Sequence, residues 1–269
     1  MRLSARLAPV LFVPLALFGA ASCAGTTTTT AAGPAISQSA DPGSNGSATD
    51  PSVSTADPAG GSDTTEAPNP NVTVAARITA SKAQVHSDPD DGSKVLTEIG
   101  LTTKLGSKST LLALDVEGDW VKVALPIRPN GSTGWVKKDA VELRTSTKAI
   151  TVDLASRKLV LTDNGEPVLT TEVAIGSKQN PTPAGSFFVT DLLDTGNANG
   201  AYGPFAFGLS GHSDTLSEFG GGDGQLGIHG TNEPASIGQS VSHGCVRVPN
   251  DIVEQLVGLV PLGTPVTIS

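Results

Sequence analysis

Sulfur and aromatic rings are scarce in this 269-residue chain, which has two cysteines, one methionine, two tryptophans and one tyrosine. Basic charge is also short, and 17 Lys and Arg against 26 Asp and Glu leave a net charge of −9. That balance excludes the basic face that nucleic-acid binding needs. The chain has no apolar run fit to span a bilayer. Its longest, Leu7 to Phe18, is short and interrupted by Pro9 and Pro14. Between residues 24 and 72 there is no aromatic residue and no Lys or Arg, and Ala, Gly, Pro, Ser and Thr dominate. Such a segment cannot bury enough apolar surface to offset the entropy of ordering it. Residues 23–72 therefore read as a tether, with a root-mean-square reach of about 40 Å.

The first 22 residues have the order of an export signal. Arg2 and Arg6 form the positive end, Leu7 to Phe18 the apolar stretch, and Gly19-Ala20-Ala21-Ser22 the small residues before a cleavage point. Cys23 follows directly. This resembles a bacterial lipoprotein processing site, with Ala20 where the usual pattern has Leu. The resemblance implies acylation of Cys23 and an anchor at the outer face of the cytoplasmic membrane. Simple secretion is the alternative. Either way the chain is expected outside the cytoplasm, where cysteines usually pair. With Cys23 acylated or removed, Cys245 has no partner in its own chain, and such a thiol is either inert and buried or reactive.

Two modules follow the tether. Residues 73–146 alternate apolar and polar positions in short runs such as 110-TLLALDV-116 and 119-DWVKVAL-125, which predicts an all-β unit. The Gly118-Asp119-Trp120 and Gly134-Trp135-Val136 elements resemble a small bacterial SH3-like β-barrel. Domains of that kind bind wall material or act as spacers. The loop 126-PIRPNGS-132 is longer than that pattern. Residues 147–269 begin with a second alternating run, in which Asn164-Gly165 predicts a tight hairpin. Residues 192–224 read as one long lid loop. Asn250-Asp251 is expected to cap a short helix over 251–257 that ends at Gly258. The reading is a mostly-β sandwich or open barrel with one helix near the site. His86 and His212 are expected on the surface.

The chemistry concentrates in 227-GIHGTNEPASIGQSVSHGCVR-247. Acyl transfer by a thiol needs an activated nucleophile, a base for its proton and donors for the oxyanion. Cys245 supplies the sulfur. His229 comes from a separate segment and can approach across the site, whereas His243, the further catalytic candidate, is held by the same short backbone as Cys245. Gly230 leaves room for a carbonyl to fix the tautomer of His229. Gly244 lets the backbone bend, so that the N–H groups of Gly244 and Cys245 can face an oxyanion. On this reading Cys245 is more ionised at neutral pH than a free cysteine. A zinc site of His229, His243 and Cys245 is the competing reading by residue type, but no fourth ligand is indicated.

The pairing of His229-Gly230-Thr231 with Ser242-His243-Gly244-Cys245-Val246-Arg247 resembles the signature of the YkuD-type L,D-transpeptidase catalytic domain. The stretches 151-TVDLASRKLVLTDNG-165 and 181-PTPAGSF-187 are also similar to elements of that family, so the likeness covers nearly all of 148–269. It implies a cell-wall enzyme that needs no metal and no cofactor. Cys245 would attack a peptidoglycan stem peptide, expel its terminal D-Ala and pass the resulting thioester to a neighbouring stem as a 3→3 cross-link. His229 would act as base and then acid, with Gly230 orienting it. Arg247, Ser242 and Tyr202 would contact substrate, and carbapenems would acylate the same sulfur. Some actinobacterial relatives carry Asn in place of Arg247. Two other readings remain at this stage. One is a hydrolase of the L,D-carboxypeptidase type on the same scaffold, and the other is a non-catalytic wall-binding lipoprotein.

Overall fold

In the computed structural model the described residues are 69–219 and 221–269. The export signal, Cys23 and all but the last four residues of the tether lie outside them. Those last four residues pack on the second module: Asn69 and Asn71 donate to the side chain and the carbonyl of Asn164 at 2.7 and 3.2 Å.

The first module is one seven-stranded sheet. Its strands are β1 (Thr73–Ile78), β2 (Lys82–His86), β3 (Val95–Gly100), β4 (Thr110–Glu117), β5 (Trp120–Ala124), β6 (Thr133–Lys137) and β7 (Val141–Ser146), ordered β3-β2-β6-β5-β4-β1-β7. The pairings are antiparallel. Side chains alternate between the two faces of a strand, so Val121, Val123 and Val136 turn to the core with Val85 and Leu111. The opposite face carries a ladder in which Trp120 pairs with Lys137 and Lys122 with Trp135. Each lysine lies over its partner's ring, at 4.1 and 5.7 Å. His86 was expected on the surface. It is instead buried, 5.0 Å from the Trp120 ring and edge-on to it.

The second module is built on an eight-stranded sheet and one helix. Its elements are β8 (Lys148–Asp153), β9 (Lys158–Asp163), β10 (Glu166–Glu172), β11 (Ile175–Gly176), β12 (Gly185–Asp194), β13 (Phe205–His212), β14 (Gln225–His229), β15 (Ser240–Ser242), β16 (Val246–Arg247), α1 (Asn250–Leu259) and β17 (Pro265–Ile268). The sheet order is β10-β9-β8-β17-β12-β13-β14-β16, and β11 pairs with β15 separately. The architecture is thus mostly β with one helix, as the sequence implies. Asn164 and Gly165 make the hairpin between β9 and β10 with positive φ, 53° and 86°.

Two expectations need correction. The stretch 192–224 is not a single loop, because it contains the end of β12 and the whole of β13. What remains are the loops 195–204 and 213–224. The helix begins at Asn250 and passes through Gly258 to Leu259. Pro249 occupies the capping position, and Asn250 is not a cap; its side chain is engaged elsewhere. Val253 and Leu256 bury one face of the helix against the sheet, beside Ile228, Val246 and Val248.

The two sheets meet along β12 and fall within the same compact unit. Phe187 and Phe188 are adjacent and face opposite ways. Phe187 joins the core of the second sheet and Phe188, fully buried, joins that of the first. The Thr103 hydroxyl donates to the Asp191 carboxylate, and Leu192 N–H donates to Ser107 Oγ at 3.2 Å.

Candidate active site

The sheet brings the candidate residues together through one parallel pairing. β14 ends at His229, β16 begins at Val246, and the two strands align Ile228 with Val246 and His229 with Arg247. Cys245 therefore sits beside Gly227, where the Gly227 N–H faces the sulfur. A side chain at Gly227 would press on the Phe207 carbonyl and reach Sγ.

His229, Ser242, His243, Cys245, Arg247 and Tyr202 line a single pocket of about 120 Å³, together with Ala201 and Phe219. His229 is 5% exposed and its Nδ1 lies 2.6 Å from the Gly230 carbonyl. Because the carbonyl can only accept, Nδ1 carries the hydrogen and Nε2 keeps its lone pair. Burial lowers the pKa of His229 to about 4. The Gly230 carbonyl opposes this shift, and the Arg247 charge adds to it. The imidazole is neutral at neutral pH and ready to accept a proton. The Tyr202 ring packs on it at 4.6 Å.

Cys245 departs from its expected ionisation. Burial pushes its thiol up, against the smaller pull of the Gly227 N–H and Arg247. The resting pair is thus a neutral thiol and a neutral imidazole, and charge develops only when a substrate arrives. The residue retains some solvent access.

Around the sulfur the turn is fixed by its own polar groups. Gly244 has φ of 120°, which favours glycine. Its N–H donates to Ser242 Oγ at 3.1 Å, and Ser242 Oγ donates to the Cys245 carbonyl at 2.6 Å. Ser242 is buried and spends its hydroxyl on this turn. The Gly244 N–H, expected to face an oxyanion, is therefore occupied, whereas no hydrogen bond among the described residues takes the Cys245 N–H. His243 is exposed and stacks on Phe219 at 4.9 Å and 27°. Arg247 Nη1 donates to Glu233 Oε2 at 2.7 Å, while its Nε is buried with no hydrogen-bond partner among the described residues.

Three supporting residues have roles at the site that the sequence does not indicate. Thr182 donates to the Gly244 carbonyl at 2.8 Å and accepts from Gly176 N–H at 2.8 Å, tying the 181-PTPAGSF-187 segment to the cysteine turn. Asn250 accepts from Thr231 N–H at 2.7 Å and donates to the Ala198 carbonyl at 3.2 Å, which holds the segment after His229. Phe219 arrives from the 213–224 loop; no periodicity marks it. His212, expected at the surface, is buried 3.5 Å from Asp223 and lines a separate cavity of about 260 Å³ between the sheets. Burial lowers its pKa, opposed by Asp223.

A thiol, an imidazole in one tautomer and an unengaged main-chain N–H around one pocket are the parts of an acyl-transfer site. Residues 147–268 match the family model described as YkuD, the L,D-transpeptidase catalytic domain. The chain is 36% identical over 120 residues to the YkuD protein of Bacillus subtilis (strain 168), provisionally named an L,D-transpeptidase; the match covers 45% of this chain and 65% of that one. It is also 36% identical over 120 residues to the YkuD protein of Bacillus licheniformis, covering 45% of this chain and 64% of the relative. The chain thus spans less than two thirds of these relatives' length. Among solved structures, the catalytic domain of the Enterococcus faecium L,D-transpeptidase is 25% identical, with a TM-score of 0.34, over 45% of this chain and 96% of that one. The likeness to the YkuD L,D-transpeptidase catalytic domain thus lies in residues 147–268 of this chain.

Proposed function

We propose that this chain is an extracytoplasmic peptidoglycan L,D-transpeptidase that works through a thioester on Cys245 and forms 3→3 cross-links. The observation that carries this reading is the single tautomer of His229, set by the Gly230 carbonyl at 2.6 Å in the pocket that also holds Cys245. Cys245 Sγ attacks the carbonyl of the third stem residue while His229 Nε2 takes the thiol proton. The oxyanion is received by the Cys245 N–H. Collapse breaks the bond to D-Ala, whose amine leaves with the proton from His229. An amine on a second stem then attacks the thioester, His229 takes its proton and returns it to the departing sulfur, and the thiol is regenerated. The burial that raises the Cys245 pKa favours this concerted route over a standing ion pair. Tyr202 and Arg247 border the pocket and would contact the stem, and His243 lines the same opening. Ser242 acts by shaping the turn.

The rest of the chain fits this location. Residues 1–22 direct export, Cys23 carries an acyl anchor, and the tether lifts the folded part toward the wall. Residues 73–146 form an SH3-like module that stays with the catalytic part. Carbapenems would acylate Cys245.

The test is muropeptide analysis after incubating the purified protein with disaccharide-tetrapeptide stems. A 3→3 dimer from the wild type and none from Cys245→Ala is the expected result. Tripeptide monomers alone would identify a hydrolase. A Cys245→Ala protein that complements a deletion strain would mark a non-catalytic wall-binding protein and overturn the proposal.

A further inference from the structure

The loop that made the first module longer than its SH3-like pattern, residues 126–132, does not stay with its own sheet. Arg128 crosses to the catalytic module. Its Nη1 donates to the Ser213 carbonyl at 2.8 Å, and its Nη2 donates to the carbonyls of Leu216 and Asp223, both at 2.9 Å. Two residues on, Asn130 makes a pair of bonds to the backbone of His212: Nδ2 donates to its carbonyl at 2.8 Å and Oδ1 accepts its N–H at 2.9 Å. One short loop thus supplies five hydrogen bonds to the end of β13 and the loop that follows.

That following loop reaches the active site. Its neck is closed by Ser213 N–H donating to the Gly224 carbonyl at 2.8 Å, and Ser213 Oγ accepts from Leu216 N–H at 3.1 Å. Beyond the neck, Phe219 stacks on His243 and lines the pocket of Cys245. The guanidinium holds carbonyls from both limbs of the loop at once, Ser213 and Leu216 on one side and Asp223 on the other. A planar fork of donors suits this task, whereas an ammonium presents a point charge. The fit is close at Gly224. A side chain there would collide with the Leu216 carbonyl and come within 3.1 Å of Arg128 Nη2, and the residue has φ of 76°.

We propose that Arg128 is a positioning residue for the catalytic pocket: by gathering the carbonyls of Ser213, Leu216 and Asp223 it fixes the loop that sets Phe219 against His243, so that the first module shapes the donor-stem site. The proposal rests on the transpeptidase reading for its substrate, but its structural half does not.

The experiment compares the full chain with Arg128→Ala and Arg128→Lys in three measurements. Amide hydrogen exchange at residues 213–219 should quicken at least tenfold in the Ala variant and by an intermediate factor in the Lys variant. KM for a disaccharide-tetrapeptide donor should rise fivefold or more, with kcat changing less than twofold. Iodoacetamide alkylation of Cys245 should keep its wild-type rate, because the nucleophile and His229 are untouched. If Arg128→Ala does not fold, the Lys variant decides, and wild-type exchange and KM in that variant overturn the proposal. Wild-type exchange in a folded Arg128→Ala overturns it as well. Quickened exchange with an unchanged KM overturns the effect on the pocket. A wild type that never turns over donor stems is a failure of the transpeptidase reading, while the exchange result still judges the role of Arg128.

Discussion

The burial of His229 ties the base of the proposed mechanism to the acid stability of the fold. In the unfolded chain this imidazole titrates near 6.5, and in the folded protein near 4. The unfolded state therefore binds the proton first as pH falls. Stability contributed by the neutral ring is fully present above 6.5, declines between 6.5 and 4, and is lost below that window. The ring is 5% exposed, so solvent screening does little to reduce the effect. Taking the two values as they stand, the loss is about 2 kcal/mol at pH 5 and about 3 kcal/mol at pH 4. Many proteins weaken in acid, so the informative quantity is a double difference. Urea unfolding of the wild type and of His229→Asn at pH 7 and pH 5, at one ionic strength, removes the carboxylate contributions common to both. The wild type should lose about 2 kcal/mol more than the variant over that interval. Equal losses in the two proteins would mean that the ring is solvated or protonated in the folded state, and the neutral-base mechanism would fall with it.

The thiol gives a second pH test with the opposite direction. Alkylation of Cys245 at pH 7 should be slower than for a model thiol and should still be rising past pH 8.5, about where a free cysteine is half ionised; a plateau below pH 8 would restore the standing ion pair. Thr182→Val strands the buried Gly244 carbonyl and Gly176 N–H, so it should cost about 1–3 kcal/mol in urea unfolding. Cross-link formation should fall further than that loss explains, because the cysteine turn loosens; activity at the wild-type level would show that the turn holds itself. Phe188→Ala, remote from the pocket, should cost about 3–5 kcal/mol by calorimetry or denaturant titration. A loss under 1 kcal/mol would mean that the two sheets share no core.

The parts legible in the sequence are those governed by local rules. Asn164-Gly165 announces its hairpin because few residue pairs accept two successive positive φ values, and β5 announces itself by alternation. The strand β13 is hidden for a physical reason. All but the first residue of 205-FAFGLSGH-212 is buried, so both faces are covered and alternation disappears. Asn250 was misread because a helix cap and a long-range acceptor use the same side-chain oxygen, and only the fold brings Thr231 N–H within reach. His86 and His212 fail in the same way, since polar residues next to turns carry no local mark of the ring or carboxylate that will cover them. In the candidate site, His229 and Cys245 are marked in the sequence by their surrounding motif, and the structure brings both to one pocket. The ionisation of Cys245 is not so marked, because it depends on how much structure closes over the sulfur.

β12 makes the relation between the two modules more than adjacency. A strand has two faces, and in a free-standing catalytic domain the outer face of β12 would meet water. Here Phe188 is fully buried on that face in the core of the first sheet, while Phe187 is buried on the other face in the core of the second. Removing the first sheet would expose an aromatic ring that contributes about as much as a third of a typical domain's net stability. It would also free the carbonyls that Arg128 gathers. The same boundary therefore carries a stabilising contact and a contact leading to the pocket, and the two are separable only because Phe188 lies on β12 whereas Arg128 reaches the loop after β13. A first module acting purely as a spacer would require neither contact.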